Sequence, residues 1–218
     1  MDDNIRQTIE TARALVNPLK GLGPYMEIQL NHDDDDDDDG DDGLKVPTMV
    51  LDVQYQRSPL PKDIQDRCLQ LFQTNMTTLY TESNWGFNIS EKTAEFEHDH
   101  ARFLLVMDRD ELVGFLHFRF DVNDDDEPTE QVLYVYELQI APNFTKLGIG
   151  RRLMAIMEVV ALRTDMKKVM LTVFHANTAA YQFYTQRMKY TIDPISPSQH
   201  GNSADYEILS KQDLMKAA

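Results

Sequence analysis

Lys146-Leu147-Gly148-Ile149-Gly150-Arg151 is the stretch of this chain best suited to gripping a ligand. Its two glycines allow a tight turn that aims successive amides at one point, and a helix beginning there would add the positive end of its dipole. Such a turn either cradles a diphosphate or simply opens a helix. A dinucleotide-binding fingerprint is a different pattern, with glycines directly after the first strand and a ribose-binding acid about 20 residues later; neither condition is met. Upstream, Tyr134-Val135-Tyr136-Glu137-Leu138-Gln139-Ile140 reads as a central strand feeding the turn. Strict alternation puts Glu137 and Gln139 on one face together with the apolar Leu133 and Val135. Charge inside a covered sheet is costly without a partner or a task. A carboxylate at the rim of an apolar cleft has a raised pKa and can serve as a base, whereas an edge strand with one wet face would explain it without chemistry.

Other reactive residue types carry less. Glu97-His98-Asp99-His100 offers two imidazoles, but alternate residues near a helix end rarely converge on one metal ion. His117, beside Arg119, reads as a sheet residue near the cleft rather than a general base. The single cysteine, Cys68, lies among Leu69, Leu71 and Phe72 and reads as a buried thiol.

The elements that must position these groups are readable from periodicity. Apolar residues at Ile5, Ile9, Ala12 and Val16 predict an amphipathic helix over 2–16, ended by Pro18 and Gly21. A strand over 46–55 and a helix from Lys62 to about Thr78 follow, with Tyr80 and Trp85 just past the helix. A short helix over 91–97 has Ser90 as its cap. Strands at 102–107 and 111–122 form a hairpin, and in the second Phe115, His117, Arg119 and Asp121 share one face. After the strand at 132–140 come a helix over 151–163, a strand at 168–174, a helix over 177–188 and a closing hairpin of 190–193 with 205–209. This order predicts an α/β (α+β) domain on one mixed sheet flanked by helices.

Composition narrows the partners. Asp and Glu number 37 against 21 Lys and Arg, a net charge of −16 that disfavours nucleic acid and anionic membranes and favours a cationic partner. Nine of the negative charges lie in Asp33–Asp39, Asp41 and Asp42, and the remainder of the chain is still acidic. The stretch 32–45 is expected to be an acidic flexible loop, a solvating spacer or a dock for basic peptides, between an N-terminal helical segment 1–31 packed on the domain and the main domain, 46–218. No run is apolar enough for a membrane span, and the first residues do not resemble a signal peptide, so an intracellular protein is expected.

Strand, glycine turn, helix, strand, and then Asn177 with Ala180, Phe183 and Tyr184 opening the next helix resemble the acetyl-CoA motifs of the GNAT superfamily. Longer strings between about Leu71 and Lys211 are similar to the NatD-type enzymes, which acetylate the amino termini of histones. Among them are Thr74-Asn75-Met76, Trp85-Gly86, His117-Phe118-Arg119-Phe120-Asp121-Val122, Tyr136-Glu137 and Tyr206-Glu207-Ile208-Leu209-Ser210. The resemblance implies a GNAT fold, acetyl-CoA as donor and histone tails beginning Ser-Gly-Arg-Gly as substrate, with a monomer acting in nucleus and cytoplasm. It implies that main-chain groups of Leu138, Gln139 and Ile140 pair with the pantetheine arm. Lys146, Leu147, Gly148, Ile149, Gly150 and Arg151 would hold the diphosphate, with Asn177 also on the cofactor. Tyr80, Trp85, Asp121, Tyr134, Tyr136, Thr172 and Tyr206 would line the peptide pocket, with Glu137 the catalytic carboxylate and Tyr136 beside it.

Three positions depart from that pattern. Thr145 replaces the Gln or Arg that usually opens the glycine motif, and Asn123 replaces an acid two residues after Asp121, so the grip on an arginine would pass to Asp124, Asp125 or Asp126. Ile195 replaces a serine contact, leaving Ser196 as the nearest substitute. Tyr184 is either core or the acid that protonates a leaving thiolate. Two other functions compete: a GNAT enzyme for another amine, such as lysine or a polyamine, and a non-catalytic acidic module that binds histones.

Overall fold

A computed structural model describes residues 1–30, 49–124 and 126–214. The acidic loop expected at 32–45 lies outside the described residues, as do Val46, Pro47, Thr48 and Asp125. Among the described residues, eight strands form one sheet in the order β1-β2-β3-β4-β5-β6-β8-β7. They are β1 Glu27–Leu30, β2 Met49–Arg57, β3 Arg102–Asp108, β4 Glu111–Val122, β5 Gln131–Ile140, β6 Lys168–Phe174, β7 Thr191–Ile192 and β8 Tyr206–Lys211. Every pairing is antiparallel except β5 with β6, so the sheet is mixed, as expected.

Helices cover both faces. On one lie α1 Asp3–Ala14 and α4 Ile149–Arg163, whose Ile9, Ala12, Leu153 and Met157 pack with Leu116, Phe118, Leu133 and Val135 of the sheet. On the other lie α2 Lys62–Glu82 and α3 Ile89–Phe96, whose Cys68, Phe72 and Phe96 pack with Phe103, Leu105 and Phe115. Fully burying one such Phe or Leu contributes about 1.5–3 kcal/mol, so the alternating faces of β3 and β4 hold the two layers together. Burial pushes the Cys68 thiol up to about 12, in keeping with an inert packing residue.

Several boundaries differ from the sequence reading. Glu27–Leu30, within the segment expected to be helical, forms β1, because Ile28 and Leu30 find an apolar layer beneath the edge of β2. The helix expected to stop near Thr78 continues to Glu82, so Tyr80 lies inside α2. Asn88 rather than Ser90 caps α3, its Oδ1 accepting from the amides of Ser90 and Glu91. The helix expected over 177–188 is α5 Thr178–Gln182, which runs into a π-type turn, Phe183–Arg187.

Candidate active site

Pairing between β5 and β6 stops at Val135 with Leu171, while β5 stays paired with β4 as far as Ile140. From Tyr136 onward, therefore, one edge of β5 has no strand beside it among the described residues. A cavity of 1640 Å³ opens there between the diverging strands. Main-chain groups along an unpaired edge need partners, and an extended ligand laid in the cleft can supply them.

A β-bulge decides which side chains line this cleft. The register of β4 against β5 shifts between His117, opposite Glu137, and Phe118, opposite Val135, leaving Tyr136 as the extra residue. An inserted residue reverses alternation. The expectation that Glu137 and Gln139 share a face with Leu133 and Val135 is therefore corrected. Leu133 and Val135 pack toward α4, while Glu137 and Gln139 face α2 and α3 together with Tyr134 and Tyr136.

Glu137 is buried but satisfied. Its Oε1 accepts from Lys92 Nζ at 2.7 Å and its Oε2 from Gln139 Nε2 at 2.7 Å. Gln139 Oε1 in turn accepts from Asn75 Nδ2 at 3.0 Å, and Asn75 also holds the carbonyl of Ile140. Burial raises the Glu137 pKa, and the Lys92 charge works against that rise. Desolvation makes a carboxylate placed this way a readier proton acceptor than a surface glutamate, and the lysine beside it tempers that effect.

The glycine turn lies on the same cavity. Gly148 is left-handed, with φ +81°, and caps α4 without any side-chain acceptor for the first amides of that helix. Gly150 packs its Cα where a Cβ would come 3.5 Å from Phe183 and 3.6 Å from Leu138. Uncapped amides at a helix mouth, with open space over Gly148, fit a diphosphate. Lys146, Ile149 and Arg151 line the cavity with them, and Leu147 points away, 46% exposed. Asn177 lines it too, while its Oδ1 caps α5 through the amide of Ala180.

The expected peptide-pocket residues gather at the other end. Tyr80, Trp85, Asp121, Asn123, Tyr134, Tyr136 and Thr172 all line the cavity. Tyr134 and Thr172 hydroxyls meet at 2.5 Å just beyond the last β5–β6 pair. Tyr136 stacks on the buried His117 ring, with Arg119 4.4 Å above its centroid and Asp121 Oδ2 3.4 Å from its hydroxyl. Trp85 stands half exposed against Tyr80, Phe174 and Tyr206, so Tyr206 supports the wall from outside the cavity. His117 is fully buried with neither ring nitrogen hydrogen-bonded, and burial drives its pKa down to about 4, which keeps it neutral.

Two residues expected among the substrate contacts, Asn123 and Ser196, are hydrogen-bonded elsewhere. Asn123 Oδ1 accepts from the amides of Thr129 and Glu130, closing the following loop, although the residue borders the cavity. Ser196 is fully buried off the cavity, with its hydroxyl bonded to Glu207 and to the amide of Ile208. Sequence reading missed Lys92, Glu95 and Phe174. Lys92 had a signal, since Ile89, Lys92 and Phe96 fall on one helical stripe whose other members are apolar. His98 and His100 sit side by side, and among the described residues no group of three or more metal-ligating side chains occurs.

A mixed sheet split beside an uncapped helix mouth suits a transferase whose donor is an extended, diphosphate-bearing molecule. Residues 67–190 match the Acetyltransferase (GNAT) family, more than half of the chain, and the protein belongs to that family. Solved structures share the fold. Arabidopsis thaliana NAA60 in complex with a bisubstrate analogue is 16% identical with a TM-score of 0.52, over 73% of this chain and 97% of that one. The PaiA N-acetyltransferase of Thermoplasma acidophilum in complex with coenzyme A is 14% identical with a TM-score of 0.52, over 73% and 98%. Ard1 from Thermoplasma volcanium is 14% identical with a TM-score of 0.52, over 73% and 96%. Acetyl-CoA is the acetyl donor of the family, and the free edge of β5 and the amides of Gly148, Ile149 and Gly150 fit it.

Proposed function

We propose that this chain is a NatD-type N-terminal acetyltransferase that acetylates the terminal amine of histone tails beginning Ser-Gly-Arg-Gly. The observation that carries the catalytic part is the bulge that turns the buried, doubly hydrogen-bonded Glu137 into the cleft beside the unpaired edge of β5. An α-amine with a pKa near 7.7–8.0 is mostly protonated at neutral pH and must lose a proton before it can attack. Glu137 accepts that proton, directly or through a water, and main-chain amides of the open β5 edge hold the carbonyl oxygen as charge develops on it. Acetyl-CoA supplies the activated acetyl group. Leu138, Gln139 and Ile140 align its arm through their main chain, and Gly148, Ile149, Gly150 and neighbouring Lys146 and Arg151 hold its diphosphate. Tyr184 lines the cavity, and burial raises the pKa of its phenol, so it would be a protonated donor for a leaving thiolate.

Support for the histone tail comes from the NatD-like strings, the acidic body and the aromatic wall of Tyr80, Trp85 and Phe174, which suits a small first residue. A monomer meeting its substrate in the nucleus and the cytoplasm is part of this reading. Mass spectrometry of a Ser-Gly-Arg-Gly-Lys peptide incubated with acetyl-CoA tests it, with a blocked amine and internal-lysine peptides as controls. Acetylation confined to a free N terminus is expected, and KM should rise far more when the peptide's arginine is replaced than when its lysine is. Modification of lysine or polyamine alone would replace this reading with that of another amine acetyltransferase.

A further inference from the structure

Lys92 is a cation almost without solvent. It is 7% exposed, yet its Nζ lies 2.7 Å from Glu137 Oε1 and 2.9 and 3.1 Å from the two oxygens of Glu95, over the rings of Phe72 at 4.9 Å and Tyr80 at 5.8 Å. A lysine so enclosed would be destabilising unpaired, and here Glu137 and Glu95 outweigh burial and raise its pKa, keeping it charged. Two carboxylates sharing one ammonium leave one net negative charge. Among the described residues, the other groups named against Glu137 bring no charge that cancels it. Tyr80 from α2 and Tyr184 beyond β6 are protonated phenols, with pKa values raised by burial. His117 from β4 stays neutral, its Nδ1 3.5 Å from Glu95, and the imidazole together with Lys92 holds the Glu95 carboxyl well below its ordinary range. Arg119 is engaged with the Glu95 main-chain oxygen at 2.6 Å and with the Tyr136 ring.

We infer that Lys92 is a positioning residue for the reaction, aiming the free lone pairs of Glu137 into the cleft while Glu95 shares its charge and leaves Glu137 able to take a proton. The inference rests on Glu137 being the base. In the step concerned, one N–H bond of the substrate ammonium breaks, its electron pair stays on nitrogen, and an O–H bond forms on Glu137, bringing the cluster to neutrality. Without Glu95, the whole Lys92 charge would fall on Glu137 and weaken it as an acceptor. Without Lys92, the buried Glu137 and the partly buried Glu95 would repel, and Glu137 would keep its proton to higher pH.

The two replacements therefore have opposite effects, which a structural pin for α3 would not produce. Glu137 can be titrated in the folded protein by carboxyl carbon NMR, its resonance identified by its loss in Glu137→Gln. Lys92→Met should move the midpoint up by about one to three pH units, and Glu95→Gln should move it down. Turnover of Lys92→Met should fall at neutral pH and recover as the pH is raised. Shifts in one direction, or none, would leave Lys92 a packing residue and overturn the inference. If Lys92→Met does not fold, by melting and coenzyme A binding, Glu95→Gln alone decides, since its side chain is only partly buried and an unmoved midpoint refutes the sharing. Undiminished turnover in Glu137→Gln would instead remove Glu137 as base, whatever the titrations give.

Discussion

Arg13 Nη2 lies 3.3 Å from Asp121 Oδ1, and Arg13 Nε donates to the main-chain oxygen of Phe120 at 2.9 Å. The helix that precedes the domain thus places its own guanidinium on the carboxylate assigned to a substrate arginine. Both side chains are 25% exposed, so the pair is accessible and worth roughly 0.2–1 kcal/mol. Arg13→Gln should free Asp121 and lower KM for the arginine-containing peptide by about threefold relative to the same peptide with glutamine there. Steady-state kinetics on the two peptides check this, and an unaltered ratio means that substrate and helix do not share Asp121.

Glu137→Gln keeps size and one hydrogen-bonding oxygen but cannot take a proton. Turnover should drop by about 100-fold or more, the range for loss of a general base, with coenzyme A affinity nearly intact. Single-turnover rates and calorimetry with coenzyme A separate the two effects.

Gly148 adopts φ +81°, with nothing within 4 Å of where a Cβ would sit. The cost of Gly148→Ala is therefore one of backbone rather than crowding, about 1–2 kcal/mol. If it is met by the turn relaxing, the amides lose aim and coenzyme A affinity should fall by about tenfold. Gly150→Ala, whose Cβ would meet only ordinary contacts, should bind nearly as well as wild type. Equal losses from both changes would count against a specific role for the left-handed turn.

His117 makes stability depend on pH. Burial lowers its pKa from an ordinary 6.5 to about 4 in the folded chain, so the unfolded chain binds the proton first as pH falls. Its contribution is fully present above pH 6.5 and is lost progressively down to about 4; at pH 5 about 2 kcal/mol should be gone. His117→Phe, stacked between Phe103 and Tyr136, should flatten that slope in urea unfolding at several pH values. An equal slope in both proteins would assign the dependence to other groups.

Much of the architecture was legible in the chain because periodicity is local. The alternation of β4, the helical stripes of α2 and α4 and the glycines of the turn each follow from neighbours a few residues away, and Glu137, Gly148 and Gly150 could be picked out from them. What alternation could not say is where it breaks. The extra residue at Tyr136 is set by how β4 and β5 pair, and that register turns Glu137 from the α4 face to the α2 and α3 face. Its partners are equally non-local. Lys92 comes from 45 residues upstream, and Arg13 meets Asp121 across 108 residues. The sequence alone determined which residue types were available for proton transfer and ligand binding. Which carboxylate is buried beside a cation, and which is already held by the chain's own arginine, only the packing of distant segments decided, because burial and ion pairing depend on proximity in space.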